Sequence, residues 1–367
     1  MKKNYKSIFL FLLIAACVAA PAQAARKQTA TKTDSQALSK DPYLGAILID
    51  AASGRVLFED NPDVQAPPAS IIKLMDLLIV LEYVKNKAIG LQDTVTISAE
   101  AAKIGGSQVY LKENEQFTVD ELLYALMVQS ANDAAVAIAL HVAGTKEAFV
   151  DLMNKKAREI GMTNTTFHSV HGLPPGKGQQ ADISTPRDIA TLCRELLKWD
   201  ALRYTSVKER PFRADSAEPF GMRNHNHLLG NFDGCDGFKT GYYRVAGFSI
   251  AATAARKNQR AIAVVFGSEN RHVRDAKTKD LLARGLTELI RTAPPVAPAP
   301  SVQAPSVQAP AETKKEEAPA AGEKDVIEIS TRTLKVVGIS IGIALLAVLI
   351  VLISRPKVKK KKNFLNG

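Results

Sequence analysis

Cysteine is scarce in this sequence: Cys17, Cys193 and Cys235 are the three in 367 residues. That number cannot staple a scaffold together, so a disulfide-built fold is excluded. Biased composition is also missing from the chain as a whole. With 46% hydrophobic and 23% charged residues, wholesale disorder is excluded as well. Nor is there much surplus positive charge in the interior. The formal net charge is +11, but Lys2, Lys3 and Lys6 supply three of it, and Arg355, Lys357 and Lys359 through Lys362 supply six. Without those nine charges only +2 remains for everything between. A phosphate-binding face and a nucleic-acid partner are therefore not expected. No cluster of cysteines or carboxylates accompanies His168 and His171, or His225 and His227, so neither a metal nor another cofactor is expected.

The basic residues flank two apolar segments. Met1-Lys2-Lys3, an apolar run from Ile8 to Ala16 and Ala22-Gln23-Ala24 describe a secretory signal peptide over 1–24. The run is short for an uncleaved anchor. Ile14-Ala15-Ala16-Cys17 also fits a bacterial lipoprotein signal, which would lipidate Cys17. Near the other end, 336–353 is apolar without a charge, inside an expected transmembrane helix over 334–353. Eighteen residues make roughly 27 Å of helix, close to a hydrocarbon core. The basic tail over 354–367 is expected on the cytoplasmic side. The chain then reads as single-pass in the inner (cytoplasmic) membrane, with its folded part on the periplasmic or extracytoplasmic side. Residues 293–333 form an expected linker, rich in Pro and Ala up to Lys324, with Ser-Val-Gln-Ala-Pro in tandem from Ser301 to Pro310. Polyproline geometry would let 32 such residues reach up to ~100 Å.

Residues 41–292 remain as the folded module. Residues 45–50 and 56–59 read as a strand hairpin around Ala51-Ala52-Ser53-Gly54, and 248–255 with 260–268 as another around Lys257-Asn258. Helical spacing runs through 71–87, 119–140, 146–160, 185–198 and 275–291. Strands from both ends of the module enclosing a helical middle predict an α+β fold, one antiparallel sheet covered by helices. The strand order does not follow from spacing.

Three short segments carry chemistry. Pro67-Pro68-Ala69-Ser70-Ile71-Ile72-Lys73 opens a helix that is apolar nearly all round and is therefore expected to be buried. Ser70 would sit at its positive N-terminal end, with Lys73 one turn on along the same face. Burial would lower the lysine's pKa and let it act as a base toward the serine. Taken alone, the pattern reads better as an N-cap serine and a lysine whose head reaches solvent. Gln129-Ser130-Ala131-Asn132-Asp133 could aim a hydroxyl and an amide into a cleft from a junction between helices, or merely cap one. Asp236-Gly237-Phe238-Lys239-Thr240-Gly241-Tyr242 offers an ammonium, a hydroxyl and a glycine on a strand edge, suited to a carboxylate and to close backbone approach, or is an ordinary hairpin.

Together and in this order they are far more specific, because Ser-x-x-Lys, Ser-x-Asn and Lys-Thr-Gly mark penicillin-recognising serine enzymes. Over about 42–290 the chain resembles the low-molecular-mass penicillin-binding D-alanyl-D-alanine carboxypeptidases. Gly106-Ser107-Gln108-Val109-Tyr110-Leu111, His171-Gly172-Leu173 and Ser184-Thr185-Pro186-Arg187-Asp188 are among the stretches that carry the likeness. The resemblance implies the penicillin-binding, serine β-lactamase-like fold. It implies Ser70 as nucleophile, Lys73 as its base and Ser130 as proton relay. Asn132 would orient the substrate amide, and Lys239 and Thr240 would hold its carboxylate. Gly241 belongs to the same segment. The backbone N–H groups of Ser70 and Tyr242 would form the oxyanion hole. Arg274 would be a further carboxylate ligand, with Arg271 three residues away. Peptidoglycan stem peptides are the implied substrates and β-lactams the implied covalent inhibitors. Ala131 stands where the family usually has glycine, and Tyr242 where it often has histidine. Many relatives carry a β-sandwich domain and then an amphipathic anchor, where a linker and a spanning helix are expected here.

Other readings remain at this point. A DD-endopeptidase shares the fold. A class A β-lactamase would need a glutamate that 159–161 does not supply in that family's pattern. A non-catalytic sensor of β-lactams or wall would have no use for a buried lysine beside Ser70. Cys193 and Cys235 could pair.

Overall fold

The computed structural model describes residues 42–293 apart from 217–218. The expected signal peptide, Cys17, most of the linker, the spanning segment and the basic tail lie outside them. Among the described residues no helix is long and apolar enough to cross a membrane.

The chain enters through the hairpin β1 (Gly45–Asp50) and β2 (Val56–Asp60), then a 3-10 turn, Ala69–Ile72, that runs into α1 (Lys73–Lys85). β3 (Thr94–Thr96), α2 (Ala99–Lys103) and β4 (Gln116–Thr118) precede α3 (Val119–Tyr124), a π-helical turn (Ala125–Gln129) and α4 (Asn132–Ala143). The helices α5 (Lys146–Glu159), α6 (Pro186–Leu196) and α7 (Leu202–Thr205) follow. A small hairpin, β5 (Glu209–Phe212) and β6 (Phe220–Arg223), then leads to β7 (Cys235–Tyr243), β8 (Gly247–Arg256), β9 (Gln259–Ser268) and α8 (Arg271–Thr292). The central sheet has the order β2-β1-β9-β8-β7, antiparallel throughout.

Period-2 alternation divides this sheet between two cores. Ala46 and Leu48 of β1, Ile250, Ala252 and Ala254 of β8, and Ala261, Ala263 and Val265 of β9 pack under α8 against Leu281, Leu282, Leu286 and Leu289. Ile47, Ile49, Ala251, Ile262, Val264 and Phe266 face the other way, into the larger helical core. Gly285 lets α8 come down on β1, since a Cβ there would lie 2.9 Å from Leu48. Helix α1 is buried from Lys73 through Leu81, as its all-round apolar pattern predicts.

Two expected helices differ in outline. The helical spacing over 119–140 is broken into α3, the π turn and α4, because Ser130 takes a left-handed conformation (φ 60°). The break is held by backbone bonds from Ala131 N to the Ala125 carbonyl (3.1 Å) and from Asn132 N to the Ser107 carbonyl (2.8 Å). Helix α8 begins four residues before the predicted 275, because the Asn270 side chain accepts from Val273 N at 3.0 Å and caps it there. Its first turn has no apolar face, so periodicity does not reveal it.

Candidate active site

Strand β7 lies at an edge of the central sheet, bonded to β8 on one side. Its other side packs on the turn that holds Ser70. A Cβ on Gly241 would collide with the Pro68 carbonyl and come within 3.2 Å of Ser70 N. Glycine here is what lets two backbones meet. From the opposite direction Gly172, at φ +71°, packs against the Ala69 carbonyl and lies 3.0 Å, at its would-be Cβ, from Ser70 N. Between them Ala69 itself is held at φ +50°, a conformation non-glycine residues seldom adopt. Ser70 therefore sits in a clamped 3-10 turn, two residues before the N-cap Ile72 of Lys73's helix, rather than at the N-terminus of an α-helix that starts at 71 as the spacing predicts.

Lys73 is wholly buried. Its Nζ donates to Asn132 Oδ1 at 2.8 Å and to the His171 carbonyl at 2.6 Å, and lies 3.1 Å from Ser70 Oγ. None of these partners is an anion. Burial pulls its pKa down to about 8, against the opposing charges of Asp76, Asp182 and Asp133. A neutral amine has two N–H bonds and one lone pair. The two shorter contacts take the N–H groups, which leaves the lone pair for the Ser70 hydroxyl. A serine and a lysine so arranged form a nucleophile and its base.

Asn132 is fixed from both ends of its amide. Its Oδ1 accepts from Lys73, and its Nδ2 donates to the Gly105 carbonyl at 2.7 Å. Ser130, 2% exposed in its left-handed position, lines the same cleft as Ser70. Across it Lys239 is 1% exposed. Among the described residues, the hydrogen bond of its ammonium goes to the backbone carbonyl of Thr240 at 3.1 Å. Burial and the charges of Lys73 and Arg274 push its pKa well below the usual lysine range. Arg274, also buried, is held by Asp275 through Nε and Nη2 at 2.9 and 2.7 Å. Thr240, Gly241, Arg271 and Arg274 line the cleft, as does Tyr242, whose exposed ring stacks on Phe248 at 4.0 Å. Seven of the nine site residues named from sequence thus line one cleft; Lys73 lies buried behind it in contact with Ser70 and Asn132, and Lys239 lies buried against the Thr240 carbonyl.

The sequence profile of the D-alanyl-D-alanine carboxypeptidase family matches residues 29–270. The chain belongs to that family. A D-alanyl-D-alanine carboxypeptidase of Bacillus subtilis, DacF, is 37% identical over 65% of this chain and 60% of its own length. The chain thus spans about three fifths of that relative. Penicillin-binding protein 5 of Haemophilus influenzae has a similar structure, with TM-score 0.62 and 32% identity, covering 68% of this chain and 72% of that one. The ampicillin-bound penicillin-binding protein D2 of Listeria monocytogenes gives TM-score 0.60 and 28% identity over 67% of this chain and 98% of that one. These likenesses agree with the α+β, penicillin-binding fold read from the motifs.

Several contributors escape sequence reasoning. His171 acts through its carbonyl, and Gly105 and Ser107 act through theirs. Asp133 accepts from Val109 N (3.2 Å) and Leu111 N (3.0 Å), pinning the loop that carries Gly106 and Ser107. Asp182 does the same for the loop of His171, taking Ser169 N at 2.9 Å and Ser169 Oγ at 2.7 Å. The one available signal was a carboxylate directly following Ser-Ala-Asn. His225 and His227 line the cleft, whereas His168 and His171 line a neighbouring cavity. Among the described residues no three His, Cys, Asp or Glu side chains converge as metal ligands would. Cys193 and Cys235 do not pair: both are free thiols.

The lowered pKa of Lys73 has a kinetic consequence. The ammonium form, which cannot take the Ser70 proton, prevails below about 8 and the amine above. The rate of covalent labelling by a fluorescent penicillin should rise with pH through a midpoint near 8 to a plateau. A rate that is flat between about pH 6 and 9 would show that Lys73 is not the base.

Proposed function

We propose that this chain is a serine-type D-Ala-D-Ala carboxypeptidase that removes the terminal D-alanine from peptidoglycan stem pentapeptides. The observation that carries the reading is a wholly buried Lys73 amine, anchored by two neutral oxygens, 3.1 Å from Ser70 Oγ. Ser70 attacks the carbonyl between the two D-alanines while Lys73 takes its proton. The oxyanion is met by the backbone N–H groups of Ser70 and Tyr242. Collapse breaks the C–N bond, Ser130 relays to the departing amine the proton that Lys73 took, and D-alanine leaves. Water then attacks the acyl-enzyme ester, gives up its proton to the site, and releases the shortened peptide with Ser70 restored. Lys239, Thr240 and Arg274 bind the substrate's terminal carboxylate, and Asn132 orients both the substrate amide and Lys73. A β-lactam acylates Ser70 by the same first step, and the ampicillin-bound structural relative supports that part of the reading.

The same reading places the enzyme at the outer face of the inner (cytoplasmic) membrane. The signal sequence over 1–24 exports it, the helix over 334–353 holds it by a single pass, and the linker over 293–333 sets how far the cleft can sweep. Its support is the charge pattern: basic residues adjoin both apolar segments, and the interior carries little net charge.

Release of D-alanine from diacetyl-Lys-D-Ala-D-Ala tests the activity. Wild-type protein should release it, and Ser70→Ala should neither release it nor bind penicillin covalently. Acylation without release would identify a sensor instead, and cleavage confined to cross-linked muropeptides an endopeptidase.

Lys239→Ala should lower kcat/KM by roughly 30- to 1000-fold, the equivalent of ~2–4 kcal/mol for one desolvated charge-assisted contact. A loss under about threefold would assign carboxylate capture to Arg274.

A fragment covering residues 25–292 should purify without detergent and keep kcat on the dipeptide within about threefold, and in cells the chain truncated after Thr292 but made with its N-terminal segment should be absent from the membrane fraction. If it stays with the membrane, Cys17 lipidation or another surface is the anchor.

A further inference from the structure

Asp76 stands one helical turn after Lys73, in the first turn of α1. It is 1% exposed, and among the described residues neither carboxylate oxygen has a hydrogen-bond partner. The other buried carboxylates of this core are satisfied. Asp133 accepts three backbone N–H groups, from Val109, Leu111 and Ala134. Asp182 accepts from His168 N, Ser169 N and Ser169 Oγ. Asp188 accepts from Asn164 N and Thr165 Oγ1. A carboxylate buried without donors is costly, and such an orphan calls for a physical reason. The chemistry assigned to Ser70 and Lys73 makes no use of it.

We propose that Asp76 is a positioning residue that acts through Lys73: as the buried counter-charge of its ammonium, it fixes the pH at which Lys73 becomes a base. With no N–H group to stabilise it, an ionised Asp76 depends on the positive charge of Lys73 and on the N-terminal end of α1. When Lys73 loses its proton, the Asp76 carboxylate is left in an apolar core without a counter-charge. Asp76 therefore resists that loss and moves the onset of the base to higher pH. Burial alone acts on Lys73 in the opposite direction. The opposition shows in the shifts. Asp76 is raised well above the usual carboxylate range by burial, with Lys73 working against this, and Asp76 is the foremost charge holding the Lys73 pKa up.

The other titratable groups on the elements packed against α1 and the turn before it act less directly. Asp133 from α4 and Asp182 from the His171 loop already serve backbone donors. Cys193 from α6 is a neutral thiol. Lys156 from α5 is paired with Glu82 and Glu159. Lys239 from β7 is a second buried lysine, whose proton burial disfavours, and the His171 ring is kept neutral by burial and by Lys73. Removing Asp76 therefore takes away the foremost charge that favours a proton on Lys73.

The proposal rests on Lys73 serving Ser70. Its test is the pH dependence of penicillin acylation in full-length Asp76→Asn, an exchange that keeps the shape and removes the charge. The acid limb should move down by about one pH unit or more, with the plateau rate within about threefold of wild type. A limb that moves by less than about 0.3 unit overturns the proposal. Should the variant misfold, wild-type protein labelled with 13C at Asp Cγ and Lys Cε gives the answer by NMR. The Asp76 Cγ resonance should move in step with Lys73 Cε, and an Asp76 resonance indifferent to that step overturns the proposal. If wild-type Ser70 takes no penicillin at all, the carboxypeptidase reading fails, and the NMR titration still decides the coupling of the two groups.

Discussion

A lysine with no exposed surface and only neutral oxygens for hydrogen-bond partners is the constraint around which this molecule is built. A buried ammonium requires compensation, and Lys73 receives it from three different parts of the chain. Asn132 comes from the start of α4, the His171 carbonyl from the loop after α5, and Ser70 from the turn before α1. Each contact fixes one end of an element. Asn132 needs the left-handed Ser130 and the π turn to project where it does, and His171 needs Asp182 to hold its loop. The sheet then closes the arrangement by bringing Gly241 against the Ser70 turn. The Ser70–Lys73 turn, the Ser130–Asn132 junction, the His171 loop and the Gly241 strand come from separate parts of the sequence, which is why the site exists only in the folded chain.

The glycines show how tightly the nucleophile's backbone is enclosed. Gly172 and Gly241 approach the Pro68–Ser70 backbone from two directions, and any side chain on either would meet a carbonyl. Ala69 is held in a left-handed conformation between them. A residue in that region is costly and persists only where its surroundings over-determine it. Here the surroundings are an edge strand and a loop, both anchored in larger structure. The turn therefore presents Ser70 Oγ at a fixed place, 3.1 Å from the amine that would activate it.

Much of this was legible in the sequence, and the parts that were not share a cause. Side-chain chemistry at short spacing could be read: Ser70 and Lys73 one turn apart, Ser130 and Asn132 two apart, Lys239 beside Thr240. Strand faces could also be read, because alternation sets them. Strand order could not, since period 2 says which face a residue takes and nothing about its neighbours. The His171, Gly105 and Ser107 contributions are backbone carbonyls, which every residue has, so no residue type announces them. Asp76 was hidden differently. It sits in an apolar helix as a single acidic residue among buried neighbours, and only its lack of donors separates it from Asp133 and Asp182.

The two buried lysines divide the cleft into an activating side and a binding side, and their charges are linked. Among the described residues Lys239 has no carboxylate hydrogen-bonded to it, whereas Arg274 has Asp275. Burial and the charges of Lys73 and Arg274 disfavour a proton on Lys239. A substrate that ends in a carboxylate brings the charge this arrangement lacks, which favours it over a neutral terminus. On the proposed reaction path that carboxylate leaves with D-alanine while the acyl group stays on Ser70. Its departure restores the positive field of Lys239 and Arg274, and a positive field disfavours a proton on Lys73. The amine form is the one that can accept a proton from the attacking water. Release of the first product thus electrostatically favours the base that the second step requires, with no movement of the backbone needed to bring it about.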